Sequence, residues 1–113
     1  MFRDDRQTSD AVRVLLRSVG LERLWTDAGP TEEALKLRDQ RGGPMSHGEA
    51  LVLLAAFDFW NGQGKVQLSD LLAVLDGERT RLIATLMIAA SEGASAVDRW
   101  IAEHRAAPHL RSI

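Results

Sequence analysis

Any chemistry in this chain has to come from few residues. The stretch Phe57–Asp70, FDFWNGQGKVQLSD, sets a carboxylate, Asp58, among apolar residues and follows it with Asn61, two glycines, Gln63 and a second acid at Asp70. No other stretch comes closer to a set of oxygen ligands. Ser46, His47 and Glu49 place a hydroxyl, an imidazole and an acid side by side, but nucleophilic triads assemble in space rather than along the chain. The spacing Ser46-x-x-Glu49 is instead that of a helix capping box, which accounts for both residues without catalysis. His104 and His109 straddle Pro108 and so cannot share one helical face; with Glu103 they match no zinc-ligand spacing. The chain has no cysteine, which removes thiolate nucleophiles, thiolate metal sites and disulfides. It also has no tyrosine, no clustered carboxylates and no phosphate-cradling glycine loop followed by Lys and Ser or Thr. This inventory predicts a protein that is not an enzyme and that uses neither cofactor nor metal.

The spacing of the glycine loop bears on cation binding. An EF-hand-like calcium loop gathers oxygens from positions 1, 3, 5 and 12 around a glycine at position 6. With Gly64 at that position, the ligands fall on Phe59, Asn61, Gln63 and Asp70. The first is apolar, and the last is a short Asp where a bidentate Glu is usual. Residues 59–70 are therefore at most a degenerate cation site, and the expectation is a turn. In it Asn61 or Gly62 takes a left-handed C-cap, Gly64 supplies a second flexible point, and Ser69 restarts the next helix. Asp58, after eight apolar residues and near the negative end of a helix, is expected to be solvated or paired with Arg79 or Arg81; otherwise it would contact a partner.

Residues 69–88 resemble a helix-turn-helix of DNA-binding regulators in one respect. Ala73, Gly77 and Ile83 have the spacing of its small residue, turn glycine and branched apolar residue. The nucleic-acid contacts would come from Arg79, Thr80 and Arg81. Against this, Asp76 and Glu78 flank the glycine with negative charge, and the second helix continues as LIATLMIAA, which offers little to base edges or phosphates. DNA binding is thus the alternative rather than the leading expectation.

The elements that must position these residues are helices. Of the 113 residues 45% are apolar, enough for one domain, 1–113, with a core that needs no covalent staples. Sixteen acids against fourteen bases give a formal charge of −2, with no overall attraction to nucleic acid or anionic lipid. A first helix is expected from Ser9 or Asp10 to Gly20, with Arg13 and Arg17 one turn apart on its polar side, a stripe that would suit an acidic partner. LERLW suggests a short turn of helix broken at TDAGP, and Thr31 caps a peripheral helix ended by RGGP. The best-signalled helix spans about 47–61, apolar from Ala50 to Trp60 except at Asp58, and belongs at the centre of the fold. Further helices follow over Ser69–Leu75, over Asp76 to Gly93 and from Ser95 to about Arg105, with loose ends expected at 1–7 and 107–113. The fold class is all-α, a compact bundle-like domain of five to seven helices.

Two helices apolar nearly all round, together with Trp25, Trp60 and Trp100, exceed what a few amphipathic neighbours can cover. The expected function is accordingly a protein-interaction module (an adaptor, an inhibitor or a small subunit) that buries an apolar surface against itself or another protein. Asp58, Phe59 and Trp60 are the first candidates for that contact, with Arg13 and Arg17 second. The charged start MFRDDRQTSD lacks the apolar core of a secretory signal, and the longest apolar run is short of the ~20 residues of a membrane span. A cytoplasmic location without membrane contact is the default expectation.

Overall fold

The computed structural model describes residues 1–106, so the predicted end at 107–113 and His109 lie outside the described residues. Among the described residues the chain forms six α-helices, α1 (Asp5–Arg17), α2 (Glu32–Asp39), α3 (His47–Asn61), α4 (Leu68–Val74), α5 (Gly77–Glu92) and α6 (Ala94–Ala106). A two-residue hairpin, β1 (Trp25–Thr26) paired antiparallel with β2 (Gly29–Pro30), lies between α1 and α2. The domain is an all-α bundle of about the expected helix number.

Helix α1 starts earlier than Ser9. Asp4 is its cap, accepting a hydrogen bond from the Gln7 amide, and the polar residues Gln7, Thr8 and Ser9 are buried. Gln7 explains why. Its Nε2 donates to the Ala94 carbonyl and to Asp98 Oδ1 at the start of α6, and its Oε1 accepts from the Arg3 amide. A buried amide that satisfies three partners docks one helix on another while looking like a surface residue in sequence. Residues 1–7, expected as a loose end, are further tied by Arg3 to Asp98 at 2.7 Å and by the terminal amine to the Ala90 carbonyl.

At the centre lies α3. Its capping box is formed in both directions between Ser46 and Glu49, and every residue from Ala50 to Phe57 is buried. α1 packs against it and adds Val12, Leu15 and Leu16 to the same core, and Trp25 from the hairpin meets Phe57 edge-on at 5.0 Å. α2 is peripheral, burying only Ala34, with Thr31 as its cap. α5 and α6 form an antiparallel pair joined by Trp100 Nε1 donating to Thr85 Oγ1 at 2.9 Å. The two apolar helices have different fates. α3 is covered all round, whereas α5 buries only Ile83, Leu86 and Ala89.

Candidate functional site

The loop after α3 is built around Asp58. Gly62 takes the left-handed C-cap conformation, as its place in the sequence suggests, and the chain then folds back over the last turn of the helix. There Asp58 Oδ1 accepts from the amides of Gly64 and Lys65 at 2.9 and 2.8 Å, and Oδ2 accepts from the Val66 amide at 3.0 Å. Asp58 therefore pairs with neither Arg79 nor Arg81, which corrects the expectation, and it is half-buried rather than solvated. The opposite side of the same loop is held by Arg41, whose guanidinium donates to the carbonyls of Gly64 and Lys65. One carboxylate thus takes three amides and one guanidinium takes two carbonyls, which leaves few backbone groups of the loop for water or ligand.

Gly64 is buried here, and its role differs from the flexible hinge expected of it. A Cβ at this position would lie 1.8 Å from the Leu54 carbonyl oxygen, so the residue is needed for close approach to α3. The loop's carboxylate also faces inward to N–H donors, an arrangement suited to ordering backbone rather than to receiving a cation. Among the described residues no group of three or more His, Asp or Glu side chains is placed to share a metal ion.

This clamp sets the start of α4, which begins at Leu68 after Gln67, so that Ser69 falls inside the first turn instead of capping it. Leu71 is the buried residue of α4 and Leu75, its C-cap, is buried as well, while Leu68 and Leu72 have 69% and 72% of their surface exposed. Met87 of α5 (53% exposed) shares a surface with Leu68, and α5 also exposes Ile88 (56%), with Ala84 exposed one turn earlier. Between the two helices, with α3 as floor, runs a groove of about 250 Å³ whose lining includes Phe59, Val66, Leu68, Leu71, Ile83 and Met87. Among the described residues Asp58 is the only charged one in the groove's lining, and its oxygens are occupied by the loop amides.

The other candidate residues are placed as follows. Phe59 is half-buried at the groove and meets Phe2 edge-on at 6.2 Å; Trp60 turns away from it and packs edge-on to Trp25 at 5.8 Å. Arg13 and Arg17 are spent within the chain. Arg13 bridges Asp10 at 2.7 Å and Asp27 at 2.5 Å, joined by Arg6 and Arg105, and Arg17 pairs with Glu22 at 3.0 Å. The hydrogen bond from Arg13 holds the Asp27 carboxyl below its ordinary value. Of the three residues proposed for nucleic acid, Arg79 is bound to Asp76 at 2.7 Å and to the Ser18 carbonyl, Thr80 is half-buried and Arg81 is exposed. Gly77 is the first residue of α5, and the bend before it is made by Leu75 and the cap Asp76, so the glycine does not occupy the turn. Asp76 is held below its ordinary carboxylate value, first by the Arg79 backbone amide it caps and then by the Arg79 charge.

Sequence reasoning missed Arg41 and the groove. Arg41 has no local signal, since its partners are 23 and 24 residues away. The exposed leucines did carry a signal: Leu68 and Leu72 are one turn apart, while the buried pair Leu71 and Leu75 has the same spacing, so α4 is apolar on two faces. No protein-family model, curated protein or solved structure matches the chain.

Proposed function

We propose that the protein is a non-enzymatic interaction module whose docking surface is the apolar groove between α3, α4 and α5. One observation carries the reading. Four large apolar side chains, Leu68, Leu72, Met87 and Ile88, stand more than half exposed on two neighbouring helices beside an apolar groove. Single exposed leucines are ordinary, whereas several on two successive helices, with Leu68 and Met87 lining a concave apolar surface, are the kind of feature that distinguishes docking sites from general surface. The geometry suits apolar side chains presented by another helical surface, because the two walls are helices and the floor is a third. Asp58 supports this function by fixing the loop that sets α4, its oxygens already occupied by backbone amides.

A photo-cross-linking residue at Leu72, with a second at Arg99 on α6 as control, tests the reading in cells that express the protein. The expected result is one discrete protein adduct from position 72, abolished by Ile88→Asp, and none from position 99. Equal labelling from both positions, or none from either, overturns it.

A further inference from the structure

Helix α5 carries a stripe whose order suits one particular occupant. Arg81, Ala84, Ile88 and Glu92 follow one another at spacings of three, four and four residues, which places them along a single face of the helix. All four are exposed. The stripe is bounded by Met87 on the groove side and by Thr85, bound to Trp100, on the α6 side. Between its charged ends it holds only a small residue, a branched apolar one, and Ser91 at its margin. Among the described residues neither Arg81 nor Glu92 has an ion-pair partner, although ten other pairs are formed.

A face with a cation at one end, an anion about three turns away and an apolar centre is complementary to itself when reversed. We propose that the occupant of this surface is a second copy of the chain, packed about a two-fold axis perpendicular to α5. The inference rests on the reading of the exposed α4–α5 side as a docking surface, places the contact on the outer stripe of α5 beside the groove rather than inside it, and names its partner. In this arrangement α5 runs antiparallel to its copy, Ala84 receives Ile88 of the partner subunit, and Arg81 reaches Glu92 of the partner subunit at both ends. A parallel pairing would instead bring Arg81 against its own copy. The same axis brings the two α4 helices to one side of the pair, where the exposed Leu68 and Leu72 are the apolar residues available to widen the contact. That widening matters, because a stable interface covers ~800 Å² on each partner and a lone helix stripe is too narrow to supply it.

Sedimentation equilibrium of the full chain tests this, comparing the wild type with Ile88→Asp, Arg81→Glu, Glu92→Arg and the Arg81→Glu, Glu92→Arg double variant. All substitutions are at exposed positions, and circular dichroism establishes that each variant is folded. The wild type is expected to show a concentration-dependent monomer–dimer equilibrium. Ile88→Asp places two carboxylates in the contact and weakens it by ~100-fold or more. Each single charge reversal creates two like-charge pairs and weakens the dimer about tenfold, and the double reversal, which restores opposite charges across the axis, returns it to within about threefold of wild type. A dimer insensitive to Ile88→Asp, or one that the double reversal leaves as weak as the singles, overturns the arrangement. A strict monomer also overturns it; capture of a different protein from position 72 in that case leaves the docking reading standing, and capture of none removes both.

Discussion

Replacing Asp58 with alanine isolates the clamp that holds the loop before α4. The carboxylate accepts three backbone amides, of which Gly64 and Val66 are partly buried and Lys65 is exposed. Hydrogen bonds to a charged group contribute ~1.5–3 kcal/mol each, and a buried donor left without a partner costs ~1–3 kcal/mol. Water can replace the carboxylate at Lys65 but reaches Gly64 and Val66 poorly, so the loss is dominated by two amides and comes to about 2–4 kcal/mol. The effect should spread beyond the loop. The buried residues of α4 and its C-cap are Leu71 and Leu75, and its first turn hangs on Gln67, directly after the clamped residues. Urea unfolding measures the total, and amide hydrogen exchange locates it: the amides of Gly64 and Val66 should lose protection first, followed by those of Leu71 and Leu75. Asp58→Asn should fall between, since one oxygen remains for Gly64 and Lys65 while the amide group faces the Val66 N–H. A variant Asp58→Ala within about 0.5 kcal/mol of wild type, or one whose α4 amides keep full protection, would refute this account of the loop.

Two further outcomes follow from the same geometry. Gly64→Ala should destabilise by about 3 kcal/mol or more in urea unfolding, because the new methyl group meets the Leu54 carbonyl at 1.8 Å and backbone of the central helix cannot yield; a change below about 1 kcal/mol would show that the loop rides free of α3. Acid should weaken the fold through Asp27, Asp76 and Asp98, held below their ordinary values chiefly by the Arg13 hydrogen bond, the Arg79 amide and the Arg3 hydrogen bond. Since their folded values lie below the unfolded ones, their contribution is present above about pH 4 and is lost as pH falls through the folded values; an acid limb of the stability curve equally deep in the Asp27→Asn, Asp76→Asn, Asp98→Asn triple variant would exclude them as its source.

The fold was legible wherever the sequence writes it in local terms. Thr31, the Ser46–Glu49 box, the Gly62 stop and the Asp76 cap each satisfy backbone groups within a few residues, and all four occur as their spacing predicts. The apolar run of α3 likewise admits one place, the centre, because no face of it tolerates water. What could not be read depends on partners far along the chain. Gln7 is polar and precedes the Ser9 and Asp10 cap signals, yet it is buried because Ala94 and Asp98 complete its hydrogen bonds. The hairpin at Trp25–Pro30 has only two residues per strand, below any periodicity, and is held by Thr26 bonding across its turn and by Trp25 entering the core. For the candidate site the result is divided. The sequence showed more apolar helix surface than the neighbours could cover, but it did not show that α3 would be covered first and that the excess would fall on α5.

That division has a structural cause, and it bears on whether the exposed face is a fixed surface. Short helices such as α4, with two buried anchors, could rotate to bring Leu68 and Leu72 inward over the groove and so hide the apolar excess. The chain prevents this at both ends. Before α4, Asp58 and Arg41 hold the backbone of residues 64–66 from opposite sides. After it, Asp76 caps α5 and its partner Arg79 is tied to the Ser18 carbonyl at the end of α1. Rotation of α4 would break one of these sets of charge-assisted bonds and withdraw Leu71 from the core, a larger loss than the burial of two leucines returns. The groove is therefore held open by the same residues that close the loops around it, and the polar residue that most invited a chemical role, Asp58, acts by keeping an apolar surface in place.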